Sequence, residues 1–452
     1  MIGPGSDAHG SPRAASPRAC GEGGGSGPAF DLVVTGGTLV DPGAGRHGRF
    51  DLAIANGMVQ KVAPAIPATS ARRQIDARGK LVLPGLIDLH THLFAGGSFW
   101  GIDPRPVAWR SGVTTWIDAG SAGAYNLAAF HLLLERFSPL RTWAFLNIAP
   151  SGLVAETGEA RDPLRCDPGL CAAAIAAEQG RLVGVKCRLD RNAAGDAALE
   201  VLDRSLAAGE AAGVPVMVHI GAGPPRIDEV LDRLRPGDVV THCTTGQTMA
   251  LVDAQGRLRP SAARARARKV RFDVGHGSGA FSFEVARALV REGFWPDIIS
   301  SDLHQRSVIG PAFDLPTTMA KLLALGMPLE AVVEAATATP ARVIGLQNEV
   351  GTLEVGRRGD FALYEVLEGS FTLVDTHMVP LSAERLLANT ATFVEGVELE
   401  ASSPVMPQRW IELTEAQRGL LASPRATMRR PWAIELHEPS SFVPLALEPR
   451  RS

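Results

Sequence analysis

Between Leu83 and about Leu346, short apolar β-branched runs alternate with stretches of helical length, and this alternation constrains the fold most. The runs are Leu86–Leu89, Val113–Ile117, Thr142–Ile148, Leu182–Val185, Val214–Ile220, Val239–Thr241, Val270–Val274 and Ile298–Ser300. Between most of them lie helical stretches at Leu127–Arg136, Gly169–Gln179, Ala197–Ala212, Ile227–Leu234 and Phe283–Glu292. Eight strands alternating with helices predict an α/β chain whose centre is a (β/α)8 TIM-type barrel. A doubly wound open sheet is the rival. It is disfavoured as a dinucleotide fold, because no GxGxxG follows an early strand and Gly275–Gly279 comes late with the wrong spacing.

The flanks have a different texture. Strand-like runs at Phe30–Val34, Asp51–Ile54, Val59–Val62 and Arg73–Asp76 precede the barrel, and similar runs at Gly351–Leu353, Asp360–Tyr364 and Phe371–Val374 follow it. Glu384–Leu387 and Thr392–Leu399 can complete the same unit. The simplest topology closes one small β-sandwich from both chain ends, residues 28–82 and 347–400, with the barrel, residues 83–346, inserted between them. Residues 1–27, rich in Gly, Ser, Pro and Ala, read as a disordered extension without the apolar core of a signal peptide. Residues 401–452 read as a C-terminal extension, with one helix expected at Thr414–Leu421.

Composition excludes several classes. Forty-five basic residues against 48 acidic ones give a net charge of −3, which points to neither nucleic acid nor an anionic membrane as partner. No stretch is long and apolar enough for a membrane span. Five cysteines without CxxC spacing (Cys20, Cys166, Cys171, Cys187, Cys243) fit neither a disulfide scaffold nor a zinc finger, and a cytoplasmic location is expected. The expected form is a homo-oligomer acting on a small molecule.

The chemistry sits at strand ends. His90 and His92 close the first strand, and residues two apart share a face, so both imidazoles point into the barrel. An HxH pair alone is a weak signal that surface strands also produce. Here, however, His219 ends the fifth strand, His242 the sixth, and Asp302 the eighth. In a barrel these positions converge on one rim, where such folds build their sites. The bland alternative, satisfied core histidines and a capping aspartate, needs that placement to be coincidental. Lys186 ends the fourth strand, where an ammonium is costly to bury. It either snorkels or pairs with a carboxylate such as Asp302, or, as the favoured reading, its neutral amine captures carbon dioxide as a carbamate. That would convert a cation into an anionic oxygen donor able to bridge two metal ions.

The order His-x-His, Lys, His, His, Asp on strands one, four, five, six and eight resembles the amidohydrolase superfamily over roughly Asp31 to Leu399. Its most specific part is Gly79-Lys-Leu-Val-Leu-Pro-Gly-Leu-Ile-Asp-Leu-His-Thr-His. Asp118-Ala-Gly-Ser-Ala-Gly-Ala, Thr241-His-Cys, Phe272-Asp-Val-Gly-His-Gly, Ser301-Asp-Leu-His and Gly310-Pro-Ala-Phe-Asp-Leu-Pro-Thr-Thr-Met are similar to its deacetylase branch. The resemblance implies a binuclear-metal hydrolase that cleaves an amide or ester of a small carboxylate-bearing substrate, such as an N-acyl amino acid or acetylated 2-hydroxy acid. It also implies that His90, His92 and Asp302 hold one divalent ion and His219 and His242 the other, with carbamylated Lys186 as the bridge. Zinc suits these donors. A hydroxide bridging the two ions would attack the carbonyl, and Asp302 would shuttle its proton.

On the substrate side, Arg188 lies two beyond Lys186 and is suited to a carboxylate, although a surface arginine is an equal reading. His276, in the glycine-bracketed Gly275-His-Gly-Ser-Gly loop, is a candidate for substrate contact or for support of the site. His304, two beyond Asp302, could orient it or simply face solvent. Cys187 and Cys243 alternate away from the site and read as packing residues. Two rivals remain. The first is a cyclic-amide hydrolase of the dihydroorotase or hydantoinase kind, against which Leu93 and Phe94 stand where dihydroorotases carry an HxHxR arginine. The second is a non-catalytic assembly protein of the same fold, which would commonly lack the ligands present here.

Overall fold

The computed structural model describes residues 28–402 apart from residue 179. The expected extensions before residue 28 and after residue 402, with the helix at Thr414–Leu421, lie outside the described residues. Seven strands form one parallel sheet in chain order: Leu86–Thr91, Val113–Ala119, Arg141–Asn147, Leu182–Arg188, Val216–His219, Val239–Thr241 and Arg271–Asp273. Their residues are buried almost throughout, which explains why they read as continuous apolar runs and not as alternating ones.

The eighth wall segment differs from the expected regular strand. It joins its neighbours through isolated parallel bridges, Asp273 to Ile298 and Thr91 to Leu303. Polar side chains interrupt the ladder here. Ser300 Oγ donates to Asp273, the Ser301 amide and hydroxyl donate to Asp88, and Asp302 turns the backbone to φ 46°. Closure of the barrel is nevertheless visible in contacts between strands that are not neighbours. His90 on the first strand reaches Thr241 on the sixth at 2.8 Å, and Lys186 on the fourth reaches His90 at 3.0 Å. Such pairs can meet only across a lumen. Ile87, Leu89, Ile117, Phe145, Met217, Val239 and Ile298 fill that lumen from below, plugged by Ala341, Ile344 and Val350. The helices that the periodicity did not single out are Arg105–Ser111, Pro260–Ala267, Leu315–Ala324 and Leu329–Ala335, together with Ala338–Val343, which carries Ala341 of the plug.

Two further sheets make the sandwich. One contains Met58–Ala63, Asp51–Ala55, Phe30–Thr35 and Ala71–Asp76, all from the N-terminal part. The other combines Thr38–Asp41, Arg46–Arg49 and Leu81–Pro84 with Phe361–Val374, Pro380–Val394 and Val397–Glu398, so both chain ends share it. Leu32, Leu52, Val82, Phe361 and Phe393 meet between the sheets, with Phe361 and Phe393 stacked at 4.3 Å. Gly351–Leu353 is not a strand. The late runs instead merge into one long hairpin, because bulges at Leu363/Tyr364 and Glu368/Phe371 absorb the polar Gly369-Ser370 step that reads in sequence as a gap. The hairpin's tip reaches the barrel, where Asp375 accepts from the Phe283 amide and Thr376 donates to the Phe281 carbonyl. No helix among the described residues is long and apolar enough to cross a membrane.

Sandwich and barrel are locked at Gly112, which precedes the second barrel strand. Buried Tyr364 donates to the Ser111 carbonyl at 2.7 Å, and Gly112 has φ 74°. A Cβ there would lie 1.9 Å from the tyrosine oxygen. Tyr364→Phe is expected to cost about 1 kcal/mol by stranding the carbonyl, and Gly112→Ala more, through both clash and backbone strain. Thermal unfolding checks the order. Equal midpoints for Gly112→Ala and the wild type would show that this contact does not hold the two units together.

Candidate metal centre

All six predicted ligands come together at the barrel's mouth. His90 is the penultimate residue of its strand and His92 lies just past it, each aiming Nε2 at Asp302 Oδ1, at 3.3 and 3.2 Å. These three residues offer donor atoms within 4.8 Å of one another. Lys186 Nζ is 3.0 Å from His90 Nε2. The His242 ring centre is 5.1 Å from that of His90, and His242 Nε2 is 2.7 Å from His219 Nδ1. The positive φ values of His242 (70°) and Asp302 (46°) turn both side chains back over the strand ends.

The proton on each imidazole is fixed by what lies behind it. Thr241 donates its hydroxyl proton to Asp273 at 2.7 Å, so toward His90 Nδ1 it can only accept. Ser121 Oγ lies 2.9 Å from His92 Nδ1 and can take its proton, and the Ser121 amide donates to Asp118 at 2.6 Å. The Gly275 carbonyl accepts from His242 Nδ1 at 2.6 Å, and Asp190 accepts from His219 Nε2 at 3.1 Å. His90, His219 and His242 therefore each spend their one proton on a partner outside the cluster and turn a lone pair inward, and His92 has the Ser121 hydroxyl as the partner for its own.

Burial keeps these rings neutral. It drives His90 and His242 well below the usual histidine range, with like charge from Lys186 adding for His90 and from His219 for His242. Burial also brings His92 down to about 3 and, against the pull of Asp190, His219 down to about 4. Lys186 falls to about 8 for the same reason, although Asp302 opposes the shift. Beneath them, burial raises Asp88 to about 7 and Asp273 to about 6, while the Ser301 hydroxyl pulls Asp88 back and the Ser300 and Thr241 hydroxyls pull Asp273 back. Burial raises Asp190 too, but the His219 hydrogen bond and Arg188 overcome it and hold the group below the ordinary carboxylate range.

This donor set fits cations. The His219 and His242 lone pairs face each other at 2.7 Å with no proton between them. Asp302 Oδ1 is buried without a hydrogen-bond donor, next to two further lone pairs. Facing acceptors of this kind are mutually repulsive until a positive charge lies among them, and imidazole with carboxylate suits zinc.

Arg188 is buried. Its Nε lies 3.4 Å from Glu159, its Nη2 3.9 Å from Asp190, and its Nη1 donates to the Glu156 carbonyl at 3.3 Å. His304 sits beside the cluster, 6.2 Å from the His92 ring centre and edge-on to Trp100 at 4.7 Å. Its Nδ1 accepts from the Arg306 and Ser307 amides, so its proton is on Nε2. His276 is fully buried, and Lys321 and Gly277 engage its two nitrogens. Cys187 and Cys243 are buried, and burial raises both thiols, Cys187 to about 12. Sequence reasoning missed the relay residues Ser121, Asp190, Thr241 and Asp273. Ser121, Thr241 and Asp273, like Asp118, lie within the family-like stretches but carry no role that the sequence alone assigns, and Asp88 shares a strand face with His90 by the same alternation that pairs His90 with His92.

A model of the amidohydrolase family matches residues 81–397. A deacetylase of Agrobacterium fabrum is 37% identical over 355 residues, which is 78% of this chain and 87% of that protein. Two crystal structures superpose with a TM-score of 0.76. One is of an adenine deaminase at 32% identity, covering 82% of this chain and 99% of that one. The other is of a dihydroorotase at 34% identity, covering 83% and 99%.

The relay makes its own prediction. Thr241→Val and Ser121→Ala leave every ligand in place but free the Nδ1 protons of His90 and His92. Each is expected to weaken zinc retention by about 10- to 100-fold in chelator competition. Wild-type retention in both would mean that the hydroxyls do not set the tautomers.

Proposed function

Because the chain belongs to the amidohydrolase family and is a hydrolase acting on C–N bonds, we propose that it deacylates a small carboxylate-bearing substrate. N-acyl amino acids are the leading class, and acetylated 2-hydroxy acids are accepted through the same chemistry. The observation that carries this reading is the inward convergence of four neutral imidazoles, Asp302 and Lys186 on one buried point.

His90, His92 and Asp302 would hold one divalent ion, and His219 and His242 a second. Zinc is the proposed metal. Such ions bring the pKa of bound water toward neutrality and polarise a carbonyl oxygen. Lys186 would link the two sites as a carbamate. Its amine nitrogen adds to the carbon of carbon dioxide and releases a proton, leaving an anionic carboxylate in place of an ammonium. The depressed lysine favours this, because the neutral amine is the form that reacts.

Asp302 moves the proton. Oδ1, the oxygen facing His90 and His92, would be spent on the ion, so the carboxylate's remaining lone pairs would take the proton of the attacking water. As the tetrahedral adduct collapses, the C–N bond breaks and the proton passes to the departing nitrogen, giving a free amine and a carboxylate. His304 presents an N–H beside the cluster to substrate oxygen. Arg188 pairs with the substrate carboxylate, since burial drives Glu159 toward its neutral form and leaves the guanidinium charge only partly answered. Cyclic-amide hydrolysis is the second reading, favoured by the likeness to a dihydroorotase structure. Against it, the positions after His92 hold Leu93 and Phe94, both buried, so no arginine awaits an orotate carboxylate there.

The test is a substrate panel on zinc-loaded protein. N-acetyl amino acids and acetylated 2-hydroxy acids are expected to be cleaved, and dihydroorotate and hydantoins left intact. Asp302→Asn should lower kcat by about 10²- to 10⁴-fold. Turnover of the cyclic amides alone would replace the first reading with the second. Less than about one zinc per purified chain would support a non-catalytic protein, since intact sites of this kind bind tightly.

A further inference from the structure

Lys321, on the helix Leu315–Ala324, is among the largest fully buried side chains, and no carboxylate among the described residues pairs with it. Asp375 and Asp314 act on it only at longer range. Its Nζ instead donates to His276 Nε2 at 2.7 Å and to the Pro311 carbonyl at 2.9 Å, and it lies 5.8 Å from the Phe281 ring centre. A buried lysine spent on a neutral imidazole and a carbonyl calls for an explanation.

The explanation lies in what His276 holds. Its Nδ1–H donates to the Gly277 carbonyl at 2.9 Å, so Nε2 is left to accept from Lys321. The ring also stacks on Phe281 at 4.6 Å and 11°. The loop that carries His276 touches two proposed ligands. The Gly275 carbonyl accepts from His242, and Gly277 packs so closely on Asp302 that a Cβ would lie 2.4 Å from Oδ2. Pro311, the other acceptor, belongs to the loop that follows Asp302.

We propose that Lys321 is a positioning residue: it cross-links the loop after the seventh strand to the loop after the eighth and acts through His276 to seat Gly275 against His242 and Gly277 against Asp302. The role of His276 is therefore structural support of the catalytic carboxylate and not contact with substrate. The proposal rests on the reading of Asp302 and His242 given above.

Lys321→Met keeps the volume and removes both hydrogen bonds. On zinc-loaded protein and an N-acetyl amino acid that the wild type cleaves, it is expected to lower kcat by about 10- to 100-fold with KM within about twofold, the pattern of a misplaced catalytic group. His276→Phe, which keeps the stack on Phe281, should lose a similar factor, and the double variant no more than either single one. Losses that multiply in the double variant, or a folded Lys321→Met with wild-type kcat, would overturn the proposal. Hydrogen exchange of residues 275–281 gives a reading without substrate. Faster exchange there in Lys321→Met supports the cross-link, and unchanged exchange contradicts it even where no substrate on the panel is turned over. Should Lys321→Met fail to fold, Lys321→Gln restores one donor and is expected to fall between the two in kcat and exchange. A Lys321→Gln protein equal to the wild type in both would overturn the proposal as well.

Discussion

Everything at the barrel's mouth depends on one electrostatic constraint: buried imidazoles that must stay neutral and must point their lone pairs inward. Burial supplies the neutrality, and the acceptors behind each ring supply the orientation. Neither alone would suffice. An imidazole free to choose its tautomer would turn an N–H toward His219 or Asp302 and make an ordinary hydrogen bond, and the cluster would then be a satisfied polar core with no capacity for a cation. The Gly275 carbonyl behind His242 and Asp190 behind His219 remove that option, which is why two lone pairs face each other at 2.7 Å.

The fold is arranged to hold that constraint rigidly. Ligands sit on strand ends, whose positions are set by the parallel ladder and by the apolar plug beneath. The weakest part of the wall, the bridged segment after Ile298, is the part that carries Asp302, and it is braced by hydroxyls given to Asp88 and Asp273. The sandwich contributes from outside. Its long hairpin touches the loop after the seventh strand, and Tyr364 clamps the entry to the second strand. The small unit is thereby tied to the geometry of the mouth.

Much of this was legible in the sequence because a barrel strand is buried on both faces and ends at a polar residue. Val239-Val-Thr-His and Val214-Pro-Val-Met-Val-His state both the strand and its functional end. The eighth segment was harder. Ile298-Ile-Ser reads as a strand, but Ser300 and Ser301 use their hydroxyls on distant aspartates, and nothing local announces those partners. The relay residues were hidden for the same reason. A threonine in Val239-Val-Thr is an ordinary strand residue until the barrel closes and brings Asp273 to its oxygen. Lys321 is hidden further still, because its meaning depends on two loops, at Gly275–Gly277 and Pro311, that meet only in three dimensions.

Anomalous diffraction at the zinc edge, on crystals grown with zinc and bicarbonate, addresses the central claim most directly. The account expects a pair of anomalous peaks, one seated among His90, His92 and Asp302 and the other between His219 and His242, with continuous density extending from Lys186 Nζ toward both. A mouth without anomalous signal, in which Lys186 remains an unmodified amine hydrogen-bonded to His90, would contradict it.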